Sequence, residues 1–192
     1  MTKIWKRVFA VIALLAVMTT GLYGCKKKEK GQSPYMAAVN NLAQAYNGDK
    51  AAIDQIAPQE AWRYLQKNDF DARDHADRVY NKQAAFLQDM RGLYGEDAYV
   101  SISVKDAEKC SEERIKDIAK ALNDTYGLKI ASVKEAYKMK RTLKIGDAEY
   151  ESVEMYTVRI DDGWYVLYDH SSEETPAFYF PFLSNREISL SS

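Results

Sequence analysis

The chain is short of the residues that most enzyme chemistry draws on: among 192 residues there are two histidines, two cysteines and four prolines. No glycine-rich phosphate loop, no paired cysteines, no HExxH and no GxSxG occur, which removes most motif-bearing enzyme classes. Excess positive charge is also missing, with 27 Lys and Arg against 28 Asp and Glu, so there is no electrostatic footprint for nucleic acid. The uncharged stretch from Val8 to Gly24, which contains the longest apolar run, falls just short of the roughly 18 residues of a spanning helix.

That stretch has a different use. Lys3, Lys6 and Arg7 precede a wholly apolar run from Val8 to Val17, the basic and hydrophobic regions of a secretory signal. Lys26, Lys27, Lys28 and Lys30 follow it, so flanking charge gives no orientation for a membrane-spanning segment. Leu22-Tyr23-Gly24-Cys25 resembles the bacterial lipobox, with an aliphatic residue, a variable one, a small one and then the cysteine. Tyr23 is bulkier than the usual occupant. The resemblance implies a signal peptide over residues 1–24 and a diacylglyceryl group on Cys25, holding the chain on the extracytoplasmic face of a cell membrane. Two acyl chains, at about 0.8 kcal/mol per buried methylene, suffice for stable anchoring. The lysine run in the 25–33 tether either adds attraction to anionic lipid or is a solvated spacer.

Removing residues 1–24 takes three basic residues from the 27, leaving 24 against 28 acidic ones and a formal charge of −4. The remaining length suits one domain with a real core. Cys110 is then the one thiol left, so no internal disulfide can form, and it reads as a small, partly buried residue rather than a nucleophile.

Ser33-Pro34 reads as a helix cap followed by proline at the first helical position, with Tyr35, Val39, Leu42 and Tyr46 at helical spacing until Asn47-Gly48. A short helix is expected over Lys50–Ile56, and a third after Pro58 with Ala61, Trp62 and Leu65 on one face. A longer helix, about Ala72 to Tyr94, carries Val79, Phe86, Met90 and Leu93 on one stripe and Tyr80, Leu87 and Tyr94 beside it. The period then becomes two, with Val100, Ile102 and Val104 facing one way. Ser111 caps the last helix, Glu112 and Glu113 occupy its first turn, Ile115, Ile118, Ala119 and Leu122 form its apolar face, and Gly127 ends it with Leu128 folding back. Three strands, about 130–145, 150–160 and 164–168, follow, joined by turns at Gly146-Asp147 and Asp161-Asp162-Gly163. Helices, strand, helix and meander describe an α+β layer structure with one sheet face covered by helices.

This element order, with Asp161-Asp162-Gly163-Trp164-Tyr165-Val166-Leu167 and the Tyr126-Gly127 step into a long strand, resembles the small NTF2-like (cystatin-like) lipoproteins of bacteria. The resemblance covers most of residues 34–169. It implies N-terminal helices on a curved antiparallel sheet of about four strands, a cone used by different relatives for small ligands, dimerisation or catalysis. The domain would span 34–170, with a tail over 171–192.

The chemical candidates are few. Asp71 and His75, four apart, offer two metal ligands, too few for a site, and otherwise read as a solvated first turn. Asp169 and His170 are neighbours on a strand and so point to opposite faces. Glu135 and Arg141 share the register of Val133, Tyr137, Met139 and Leu143, as inward polar groups of the cone or as rim and bulge residues. Tyr137, Tyr150, Tyr156, Trp164, Tyr165 and Tyr168 all fall on the meander, where aromatics either line an apolar pocket or pack across the sheet. Pro176 to Leu183 is an apolar burst that either docks on the domain or meets a partner. Contacts to a ligand or partner are therefore expected from Tyr137, Met139, Tyr156, Trp164, Tyr168, Phe178 and Phe180, with no metal or cofactor. The function expected is a non-catalytic binding or interaction module, taking an envelope protein or a small apolar ligand. The alternatives are an acid-base enzyme using Glu135 or His170, and a homodimer-forming element.

Overall fold

The computed structural model describes residues 33–68, 75–150, 152–172 and 175–183, with the side chains of 75 and 76 excepted. The first helix, α1 (Met36–Tyr46), buries Ala38, Val39, Leu42, Ala45 and Tyr46 along one stripe. Its start differs from expectation. Ser33 contributes its carbonyl to the Met36 amide at 2.9 Å, and no side chain caps the helix. Its end is as the sequence reads: Gly48 takes a φ of 90° that disfavours any residue with a Cβ. Asn47 then accepts from the Val100 amide and donates to the Val100 carbonyl, both at 2.8 Å, so the helix end is tied to the first strand.

Helix α2 (Lys50–Asp54) is capped by the Asp49 carboxylate, which accepts from the amides of Ala51 and Ala52. Helix α3 (Gln59–Asn68) buries Ala61 and Trp62, and α4 (His75–Tyr94) buries Val79, Phe86 and Met90. Leu93, read as part of the same stripe, is 68% exposed. The expected start of α4 at Ala72 and the Asp71 ligand lie outside the described residues. Helix α5 (Glu112–Tyr126) matches its sequence signals closely. The Ser111 hydroxyl accepts from the Arg114 amide at 3.2 Å, Gly127 is left-handed at φ 63°, and Leu128 is buried.

The strands are β1 (Val100–Lys109), β2 (Val133–Ile145), β3 (Ala148–Glu149), β4 (Val153–Ile160), β5 (Gly163–Asp169) and β6 (Phe178–Tyr179). They form one antiparallel sheet in the order β1-β2-β4-β5-β6, with β3 paired to β2. The class is α+β. A single helix meets both sides of this sheet's span: Asn47 at the end of α1 bonds to β1, and the Tyr46 hydroxyl meets that of Tyr168 on β5 at 2.9 Å. The end of α1 thus contacts strands on both sides of β2 and β4.

Coverage is broader than one face. Paired residues share a face, so Tyr137, Thr157, Val166 and Tyr168 lie toward α1, whereas Tyr156, Val158, Tyr165 and Leu167 lie toward the other side. On that other side α5 sits, with Arg114 donating to Tyr156 at 3.2 Å and to Asp169 at 2.6 Å. Met155, Tyr156, Thr157 and Val158 are consequently all buried, which the expectation of one covered face did not include.

Two bulges alter facing. In β1, Asp106 and Ala107 are accommodated between Lys105 and Glu108, with Asp106 left-handed at φ 54°. In β2, an extra residue at Lys134 sets Val133 opposite Ile160 and Glu135 opposite Arg159. Val133 and Glu135 therefore point to opposite faces, correcting the shared register read from sequence.

Candidate functional site

The tail settles which aromatics a second molecule can touch. Phe178 and Phe180 are fully buried, and Phe182 and Leu183 nearly so. The Phe180 ring packs on Tyr126 and Tyr165, Phe178 on Tyr156, and Phe182 on Tyr46. The apolar burst is thus docked, and its Phe178–Tyr179 segment pairs with β5 as β6. Four of the seven expected contact residues belong to this interior: Met139, Tyr156, Phe178 and Phe180 are at most 3% exposed. Their side chains hold the core together, and a ligand reaches them only by opening it.

Tyr137, Trp164 and Tyr168 remain partly exposed. Tyr137 and Trp164 meet at 5.9 Å between ring centres, and Tyr35, at the start of α1, stacks on both, at 4.9 Å and 6.4 Å. Tyr35 was legible only as a helix-stripe residue; nothing in its spacing indicates that it joins β2 and β5 here. Beside the cluster, Tyr137 donates to the Glu135 carboxylate at 3.0 Å, and Lys109 meets the same carboxylate at 2.9 Å. The Lys109 ammonium holds the Glu135 carboxyl below its ordinary value. Burial, then the hydrogen bond to Glu135, raises the Tyr137 hydroxyl.

Farther along the same face, Tyr46 is fully buried, its hydroxyl driven up chiefly by burial, and the Arg141 guanidinium lies 5.1 Å from the Tyr168 ring centre. The Thr157 hydroxyl is buried without a hydrogen-bond partner. Tyr168 thus belongs with Tyr46 and Arg141 and not with the Tyr137 cluster.

The proton-transfer candidates are dispersed. Asp169 points to α5 and pairs with Arg114, while the His170 ring lies against Tyr179, 5.6 Å between centres. They diverge as strand geometry requires. The His75 side chain lies outside the described residues. Burial pushes the Cys110 thiol up against the opposing pull of Arg114, as suits a packing residue.

Two hollows are lined by described residues. A cleft of about 10 Å³ between α1 and β5, bounded by Asn41, Gln55, Trp164 and Pro181, has room for little more than a water. An open groove of about 390 Å³, lined by Lys105, Asp106, Lys140, Thr142, Glu149, Tyr150 and Ser152, carries charges that largely neutralise one another: Lys140 faces Asp106 and Lys144 faces Glu149. Neither is a closed chamber holding a histidine or carboxylate. Among the described residues no group of three or more metal-ligating side chains comes together, and no helix is long and apolar enough to cross a membrane. Cys25 lies outside the described residues.

Compared with known protein families, with curated proteins and with solved structures, the chain matches none. Fold and site thus stand as an α+β domain with a half-exposed aromatic cluster.

Proposed function

We propose that this chain is the precursor of a bacterial surface lipoprotein, carrying an export signal over 1–24, a lipid on Cys25, a basic tether over 25–33 and an NTF2-like domain that binds without catalysing. The contact of α1 with both β1 and β5, the helix-first order and the closing Gly163-Trp164-Tyr165 strand support the NTF2-like reading. The placement of α5 on the opposite face is a departure from a simple one-sided cone.

The observation that carries the binding reading is the Tyr35–Tyr137–Trp164 cluster. Rings of this kind supply contact area with polar tips, which is what recognition surfaces use. The enzyme alternative draws no support from Glu135, whose carboxyl is lowered by Lys109, away from the near-neutral range a general acid or base needs. The test is a photo-crosslinking residue placed at Tyr137 or, as a buried control, at Met139, in intact cell envelopes. Adducts at Tyr137 that disappear on Trp164→Ala and never form at Met139 are expected. Absence of adducts at Tyr137, or equal adducts at both, would sink the reading.

A further inference from the structure

Among the described residues, no carboxylate pairs with Arg141. Its Nε is buried without a hydrogen-bond partner, and its guanidinium rests on the Tyr168 ring, next to the Tyr46–Tyr168 hydroxyl pair. Six described carboxylates of the sheet and its turns are paired with other cations. Glu135 pairs with Lys109, Glu154 with Lys138, Asp106 with Lys140, Glu149 with Lys144, Asp169 with Arg114 and Asp162 with Arg159. Asp169 is moreover on the opposite face of β5 from Tyr168. A partly buried cation without a counter-charge is unfavourable for folding alone, since its desolvation is not returned by pairing. An anion from outside the chain that pairs with such a guanidinium would return part of that cost.

The cross-strand neighbours of Arg141 describe that ligand. Val104 on β1 and Val153 on β4 flank it directly and on the same face. Val104 is partly exposed and Val153 is 47% exposed, so an apolar surface with access to solvent borders the charge. Guanidinium groups bind planar carboxylates through two parallel N–H donors, and the Tyr168 ring lies against this one, 5.1 Å from its central carbon to the ring centre.

We infer that Arg141, backed by Tyr168 and bordered by Val104 and Val153, is the subsite for the carboxylate of a small molecule with an apolar body. This rests on the reading of the domain as a binding module and names the ligand chemistry of one part of it.

The test uses the mature lipidated chain in nanodiscs and three probes in equilibrium dialysis: 2-naphthoate, its neutral counterpart 2-naphthalenemethanol, and acetate as an anion without an apolar body. Saturable binding of 2-naphthoate, stronger than that of the other two, is expected. Arg141→Met should weaken it at least tenfold, about 1.4 kcal/mol, and Arg141→Lys less. The thermal midpoint of Arg141→Met should be unchanged or raised, because a charge without a partner has been removed, whereas a structural arginine would leave it lowered. No binding of 2-naphthoate, equal binding of the alcohol, or an unaltered affinity in a folded Arg141→Met variant would each overturn the assignment. Crosslinking at Tyr137 that persists when 2-naphthoate fails removes this subsite and leaves the module standing. Failure of both removes the module as well.

Discussion

Truncating Phe180 to alanine tests whether the tail is part of the domain. The ring is fully buried, packs against Tyr126 at 5.0 Å and Tyr165 at 6.0 Å, and its backbone amide donates to the Tyr126 hydroxyl at 3.3 Å. Phe→Ala in a close-packed interior costs about 3–5 kcal/mol, from lost transfer energy and the hole left behind. The amide bond survives the substitution, so the loss comes from the ring. For a domain of this size, each kcal/mol moves the thermal midpoint by about 2–4 °C, so a fall of roughly 6–20 °C is expected. Urea unfolding followed by the fluorescence of Trp62 and Trp164 measures it, with the denaturant slope unchanged if only native-state packing is lost. A loss below about 1 kcal/mol would mean that Phe180 is not anchored as described, and would return the tail to the list of contact surfaces.

Three further substitutions probe other parts of the account. Gly127→Ala drives a methyl into the Tyr64 ring at a left-handed position, so it should cost at least the roughly 1–2 kcal/mol of the backbone alone, and an unchanged midpoint would refute the cap geometry. Thr157→Val replaces a buried hydroxyl that has no partner with an isosteric methyl and should be neutral or stabilising by up to about 1 kcal/mol; a loss of that size would reveal a hydrogen bond. Glu135 has a lowered carboxyl value in the fold, so its contribution is complete above the ordinary carboxylate range and disappears as pH falls through the lowered value. The stability difference between wild type and Glu135→Gln, measured from pH 7 to pH 2, should therefore be small, favour the wild type at neutral pH and vanish in acid. A difference that grows in acid would contradict the Lys109 pairing.

Local chemistry was legible wherever it was self-contained. Ser111, the Glu112–Glu113 turn and Gly127 mark α5 because capping depends on residues three or four apart. The alternation of Val100, Ile102 and Val104 likewise shows in β1 up to its bulge. What escaped depends on distant parts of the chain. Met155-Tyr156-Thr157-Val158 breaks alternation because α1 and α5 cover opposite faces, a pattern that sequence shows as a continuous apolar-aromatic run without saying what covers it. Lys134 looks like any strand residue, yet the bulge there turns Val133 away from Glu135. Leu93 fits the helical stripe of α4 but lies beyond the packed part of the helix. The aromatic meander was visible as composition. Only the pairing of strands separates Tyr137 and Trp164, which join Tyr35, from Tyr168, which joins Tyr46 and Arg141, and from Tyr156, which is interior.

The claim that this domain works from a membrane rests on Leu22, Gly24 and Cys25, and the intact mass of the amino-terminal peptide from native envelopes tests it most directly. A peptide beginning at Cys25 and carrying a diacylglyceryl group is predicted. A chain beginning at Met1, or an unmodified Cys25, would contradict the account.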